Sequence, residues 1–143
     1  MSDEKMKILI IHGPNLNILG NREPEIYGTR TLDEINERIR EKAAQLVSEV
    51  EIFQSNHEGE IIDRISESDA AAIIINPAGL THTSVSLLDS LRAFRGKVVE
   101  VHLSNIMGRE EFRQHSLTAA GADGIIAGFG YKSYILALEA LVK

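Results

Sequence analysis

The chain has no cysteine in its 143 residues. That excludes disulfides, iron–sulfur clusters and thiol catalysis at once. Cations of the clustered kind are missing too: 15 Lys and Arg stand scattered against 21 Asp and Glu, for a formal charge of -6. Phosphate recognition needs Lys and Arg gathered in one place, which argues against a nucleic-acid binder. No apolar stretch approaches the roughly 20 residues of a membrane span. Met1-Ser2-Asp3-Glu4-Lys5 also lacks the apolar core of a signal peptide. The expectation is a small acidic protein of the cytoplasm with neither nucleic acid nor membrane as partner. There is no repeat, linker or low-complexity segment, and the length suits one domain that buries most of its apolar surface. Residues 1–143 are therefore expected to form a single domain.

What is present is alternation. Five short apolar runs, at Lys7–Ile11, Val50–Gln54, Ala71–Asn76, Val98–His102 and Gly124–Ala127, are separated by longer amphipathic stretches. The stretches read as helices at about Leu32–Val47, Glu60–Ser68, Ser84–Phe94 and Lys132–Val142, with a short one near Glu110–Gln114. Such alternation predicts an α/β fold, a parallel sheet with crossover helices. Right-handed crossovers leave few topologies, and five units point to a flavodoxin-like three-layer sandwich with strand order 2-1-3-4-5. Runs three and five show little polar alternation, which predicts strands covered on both faces.

The segment Gly13 to Gly28 lies between the first run and Thr31-Leu32-Asp33-Glu34, which reads as a helix start. It is long for a βα loop, and long loops of this kind are usually functional. Gly20 and Gly28 bracket a polar piece with Arg22, Pro24 and Tyr27, so residues of about 20–29 are expected to act as a lid. In open parallel sheets ligands bind beyond the carboxyl ends of the strands. The residues found there are His12, Gly13, Pro14 and Asn15; Ser55, Asn56 and His57; Asn76 to Ser84; and Glu100 to Asn105.

Glu100 and His102 are two apart on a strand and leave the same face. A carboxylate beside an imidazole can orient it and make it a better proton carrier. A strand end surfacing into solvent would show the same pair; its place beyond the sheet favours chemistry. Between Asn76 and Ser84, Pro77 and Gly79 make a turn, and Thr83 or Ser84 caps the next helix, whose exposed N–H groups form a ready anion site. His82 and Ser84 lack the elbow geometry of a catalytic serine. Asp89 reads as a solvated charge on that helix. The five histidines, His12, His57, His82, His102 and His115, have neither i, i+4 spacing nor an acidic cluster, which argues against a metal. Arg109 to Ser116 looks like a surface helix, although an arginine in its last turn could reach over the site. If Arg22 folds beside Tyr27, the pair becomes a base, because an adjacent cation stabilises a phenolate by roughly 1.4 to 4 kcal/mol.

Two binding modules fit the sequence poorly. A flavodoxin-like nucleotide binder needs a Ser/Thr/Gly-rich phosphate loop after the first strand, where Gly13-Pro14-Asn15 offers few donors. A receiver-type signalling domain needs an aspartate ending the third strand, where Asn76 stands.

Four separated motifs together resemble one family. They are Gly13-Pro14-Asn15-Leu16-Asn17 with Arg22-Glu23-Pro24 and Tyr27-Gly28; Asn76-Pro77 with Thr81-His82-Thr83-Ser84; Glu100-Val101-His102-Leu103-Ser104-Asn105; and Arg109-Glu110-Glu111-Phe112-Arg113. The chain resembles type II 3-dehydroquinate dehydratase almost from end to end. One departure is Ala78-Gly79, where the family often carries glycine first, which is expected to alter the turn slightly and to touch no catalytic residue. The resemblance implies a hydro-lyase that converts 3-dehydroquinate to 3-dehydroshikimate through an enolate, in the shikimate route to aromatic amino acids or in quinate breakdown. It implies Tyr27 as the base that takes the C2 proton and Arg22 as the cation that sustains it. Asn15 would stabilise the enolate oxygen, and His102, oriented by Glu100, would protonate the leaving C1 hydroxyl. Asn76 with the amides of Leu103 and Ser104 would hold the carboxylate, while His82, Asp89 and Arg113 would bind ring hydroxyls. No metal, nucleotide or Schiff-base lysine is implied. The expected assembly is a homododecamer of trimers, with a neighbouring subunit approaching the site near Asp89.

Overall fold

A computed structural model describes residues 5–21 and 23–142. Strands β1 (Lys7–His12), β2 (Glu49–Gln54), β3 (Ala72–Asn76), β4 (Lys97–His102) and β5 (Gly124–Ala127) pair in parallel in the order β2-β1-β3-β4-β5. The helices are α1 (Pro24–Tyr27), α2 (Leu32–Gln45), α3 (Glu58–Glu67), α4 (Val85–Ala93) and α5 (Lys132–Leu141). The expected α/β class and strand order are what the molecule has.

Alternation along the strands builds the three layers. Ile8, Ile10, Ile74, Val99 and Val101 point to the face covered by α2 and α5, where they meet Ile35, Ile39, Tyr134 and Leu138. Leu9, Ile11, Ile73, Ile75 and Val98 point the other way, onto Ile61 and Ile65 of α3 and Leu87 and Leu91 of α4. Each such side chain, fully buried, contributes roughly 1.5 to 3 kcal/mol of transfer free energy. The helix starts obey local chemistry. Thr31 caps α2 in a capping box with Glu34, whose N–H donates to Thr31 Oγ1 at 3.2 Å.

Two expectations need correction. The fifth run is not covered on both faces: β5 is the sheet edge, and Ile125 is 49% exposed. An apolar run reports propensity for a sheet, while its place in the sheet depends on which neighbours arrive. The start of α4 is not an open anion site either. Ser84 Oγ accepts the Leu87 N–H at 2.9 Å and itself donates to the Glu58 carboxylate, so a protein anion already sits there.

The first and third strand-end loops are pressed together. Gly13 N–H donates to the Asn76 carbonyl at 2.8 Å, and a Cβ on Gly13 would lie 2.6 Å from the Pro77 oxygen. Only glycine admits that approach. Ala78, the departure noted above, has φ 53°, a left-handed backbone that glycine adopts without strain. The turn thus keeps a glycine-like geometry with a methyl group in it.

Candidate active site

The carboxyl ends of β1, β3 and β4 surround a cavity of about 150 Å³. It is lined by Asn15 and Tyr27 from the first loop, Asn76 and His82 after β3, His102, Leu103 and Ser104 after β4, and Arg109 and Arg113 beyond them. The volume is below the roughly 300 to 1,000 Å³ of drug-sized pockets, so the ligand is a small molecule. Among the described residues, Arg109 and Arg113 line it, and no Asp or Glu does. An anionic ligand suits such a wall.

His102 is held from behind. Its Nε2–H donates to Glu100 Oε2 at 2.9 Å. Glu100 is fully buried and accepts two further bonds, from Ser116 Oγ at 2.7 Å and from Thr118 Oγ1. Three donors offset the cost of burying the carboxylate. The partnerless sealed side-chain atoms among the described residues are Thr81 Oγ1 and Arg109 Nε. His102 lines the cavity, so its second nitrogen is the one left for a ligand there.

Tyr27 sits at the end of α1, and among the described residues Arg109 is a cation beside it. The guanidinium carbon lies 5.3 Å from the ring centroid. Burial opposes the charge on Arg109, but its hydrogen bond to Tyr27, with the charges of Tyr27 and Glu110, more than compensates and holds it above the usual arginine range. Arg109 Nη1 also donates to Ser104 Oγ at 3.2 Å, which steadies the guanidinium within the segment after β4. Its Nε has Glu110 Oε1 at 3.5 Å, near enough for charge attraction but poorly aligned for a hydrogen bond. Arg22, expected in this place, lies outside the described residues. Arg109 was visible in the fourth motif, but the two arginines there are four apart and only Arg113 had been given a task. Short 3-10 turns at Ile106–Gly108 and Glu111–Arg113, rather than one helix, bring both to the same wall.

Asn15 adopts a left-handed backbone, φ 70°, and its N–H donates to Asn56 Oδ1 at 2.9 Å. Gln54 Nε2 steadies the same loop by donating to the Gly13 carbonyl at 3.2 Å. His82 Nδ1–H donates to the His115 carbonyl at 2.7 Å, leaving Nε2 as an acceptor for a ligand hydroxyl. His82 and Ser84 are not paired. Arg113 donates from Nε to Glu110 Oε2 at 2.7 Å, and that bond holds the Glu110 carboxyl below the usual range. Asp89 is the expected residue that the cavity does not gather: it is exposed on α4 and absent from the lining. Ser116, Thr118 and Gln54 carry no sign of a task in the sequence, and Asn56 is placed by it at a strand end without one, because each acts through a residue distant along the chain.

The sequence model described as dehydroquinase class II matches residues 6–142. The 3-dehydroquinate dehydratase of Halothermothrix orenii is 56% identical over 139 residues, 96% of this chain and 94% of that protein. That of Cereibacter sphaeroides is 54% identical over 134 residues, covering 92% and 91%. Among solved structures, the type II dehydroquinase of Butyrivibrio crossotus superposes with a TM-score of 0.94 at 45% identity, over 96% of this chain and 97% of that one. A family resemblance carried by four loop motifs is thus matched along the strands and helices that position them, and the chain belongs to the class II dehydroquinase family.

Proposed function

We propose that this enzyme dehydrates 3-dehydroquinate to 3-dehydroshikimate, a step of the shikimate pathway or of quinate breakdown. The observation that carries the reading is the pairing, across one small cationic cavity, of a tyrosine next to Arg109 with an imidazole braced by Glu100. One is a base in the making and the other an acid, which is what an elimination needs.

In the proposed sequence the Tyr27 phenolate takes a proton from C2, and the electron pair moves into an enolate whose oxygen faces Asn15. The enolate collapses, the C1–O bond breaks, and the leaving hydroxyl takes the Nδ1 proton of His102 to depart as water. Glu100 keeps its bond to Nε2–H throughout and stabilises the imidazolium before transfer. Return of the proton from Tyr27 to His102 resets both groups. Asn76 and the amides of Leu103 and Ser104 hold the carboxylate, His82 and Arg113 bind ring hydroxyls, and Arg109 joins Arg22 as the cation beside Tyr27. No step calls on a cofactor.

Residues of about 20–29 act as the lid. Gly20 and Gly28, with φ 96° and 85°, support hinges at its two ends. The exposed position of Asp89 supports a role across a subunit boundary, in a homododecamer built of trimers whose neighbouring copy brings a surface to the cavity. Among the described residues no helix is long and apolar enough to cross a membrane; the proposed compartment is the cytoplasm, and residues 1–143 are proposed as one domain.

The test is direct. Incubation with 3-dehydroquinate is expected to raise the ultraviolet absorbance of the conjugated enone. No change at high enzyme concentration would refute the activity.

A further inference from the structure

Two successive carbonyls at the end of β4 are tied down from behind, by the turn that leads from β5 into α5. The His102 carbonyl accepts the Gly128 N–H at 3.2 Å and the Ser133 hydroxyl at 3.0 Å. The Leu103 carbonyl accepts the Gly130 N–H at 2.9 Å. Ser133, fully buried in the first turn of α5, also accepts the Phe129 N–H on its Oγ at 3.3 Å. One hydroxyl thus grips both the turn and the end of β4. Gly128, Phe129, Gly130 and Ser133 are absent from the cavity lining, whereas His102, Leu103 and Ser104 belong to it. The turn stands on the far side of this stretch of backbone.

The peptide bond carries that anchoring forward. No peptide among the described residues is cis, and in a planar trans peptide the C=O and the following N–H point in opposite directions. A His102 carbonyl fixed toward α5 therefore sends the Leu103 N–H away from α5, and a Leu103 carbonyl fixed toward the same turn does this for the Ser104 N–H. Along a regular strand successive N–H groups leave on alternate sides. Here the two tied carbonyls bring both out on one side. Neither N–H donates to a backbone carbonyl among the described residues. Two adjacent N–H groups on one side make a concave seat for an anion.

We propose, on the reading of those two amides as carboxylate binders, that Ser133 is a positioning residue whose hydroxyl aims the Leu103 and Ser104 N–H groups into the cavity as a paired seat for the substrate carboxylate. Without the hydroxyl the His102 carbonyl keeps only Gly128 as donor, and the Phe129 N–H loses its acceptor. The turn that presents Gly128 and Gly130 then loosens as well, so both amides lose their aim.

The experiment measures by calorimetry the binding of 3-dehydroshikimate and of its carboxamide to the parent protein, to Ser133→Ala and to Ser133→Cys. This readout is independent of turnover. The parent is expected to prefer the carboxylate, because a charged acceptor strengthens both bonds. Misaiming the seat by the worth of about one hydrogen bond is expected to shrink that preference by about threefold to tenfold in Ser133→Ala. The carboxamide, a weaker acceptor, loses less. If Ser133→Ala does not fold, Ser133→Cys decides: a thiol is a weak donor, and the preference is expected to shrink there too. An undiminished preference in the variant that decides overturns the positioning role alone. So does an equal weakening of both ligands, which a merely structural residue would produce. A parent that binds both ligands alike overturns the carboxylate reading of the two amides, and the role of Ser133 with it.

Discussion

Replacing Arg109 by methionine keeps most of the side chain's bulk and removes its charge. The guanidinium carbon is 5.3 Å from the Tyr27 ring centroid, and the Arg109 side chain is only 12% exposed. At an effective dielectric of about 20, unit charges at that distance interact by ~3 kcal/mol. A cation so placed stabilises a negatively charged base over its neutral form. Arg109→Met is therefore expected to lower kcat by about 10² near neutral pH, since each 1.36 kcal/mol is tenfold in rate. The sign of the pH dependence is fixed as well. A cation favours the deprotonated phenol, so removing it is most damaging at low pH, and the deficit shrinks as rising pH supplies phenolate in its place. The assay is enone formation at saturating 3-dehydroquinate across neutral to alkaline pH, for both proteins. Arg109 stays charged throughout, being held above the usual range, so the parent profile is not confounded by its titration. A deficit of constant size across pH would refute the electrostatic argument. So would a Tyr27→Phe, Arg109→Met double variant whose loss equals the sum of the two in free energy, because a cation that tunes a base is idle once the base is gone.

Four other outcomes are expected. His102→Ala should lower turnover by about 10² to 10⁴, while exchange of the C2 proton with deuterated solvent, followed by NMR, survives better than elimination; equal loss of both would mean that His102 only binds. Thr118→Val removes a donor from the buried Glu100 carboxylate. It should cost about 1.5 to 3 kcal/mol in urea unfolding and lower kcat through a misaligned His102. Ala78→Gly relieves the left-handed backbone at φ 53°, worth about 1 to 2 kcal/mol, against about 0.4 to 1 kcal/mol of added unfolded-chain entropy. A small net gain in the urea midpoint is expected, and a loss would mean that packing of the methyl group outweighs the strain. Finally, burial pushes His12 from 6.5 to about 4, so the unfolded chain binds the proton that the folded one refuses. That contribution is whole above about pH 6.5 and is lost as pH falls toward 4, amounting to about 3 kcal/mol; His12→Asn should flatten this part of the stability profile.

Much of the molecule follows from local rules. Apolar runs alternating with amphipathic stretches specify parallel strands with crossover helices, and the handedness of those crossovers leaves little choice of strand order. Ligands gather beyond the carboxyl ends, so Asn15, Asn76, His82, Glu100, His102, Leu103, Ser104 and Arg113 could be picked out by position and by motif. Thr31 with Glu34, and Ser84 at its helix start, were legible because capping is a contact over three residues.

What required the tertiary structure is every contact between residues distant along the chain. β5 became an edge, and so half exposed, only through the order of assembly. Arg109 met Tyr27 across some 80 positions, through turns that no helical period describes. Ser116 and Thr118 reached Glu100, and Ser133 reached the His102 carbonyl, from elements whose own sequence carries no sign of a task. A serine looks the same whether it fills space or orients a catalytic neighbour. The difference is made by a hydrogen bond of a few ångströms, and hydrogen bonds depend on distance in space, which sequence separation does not measure.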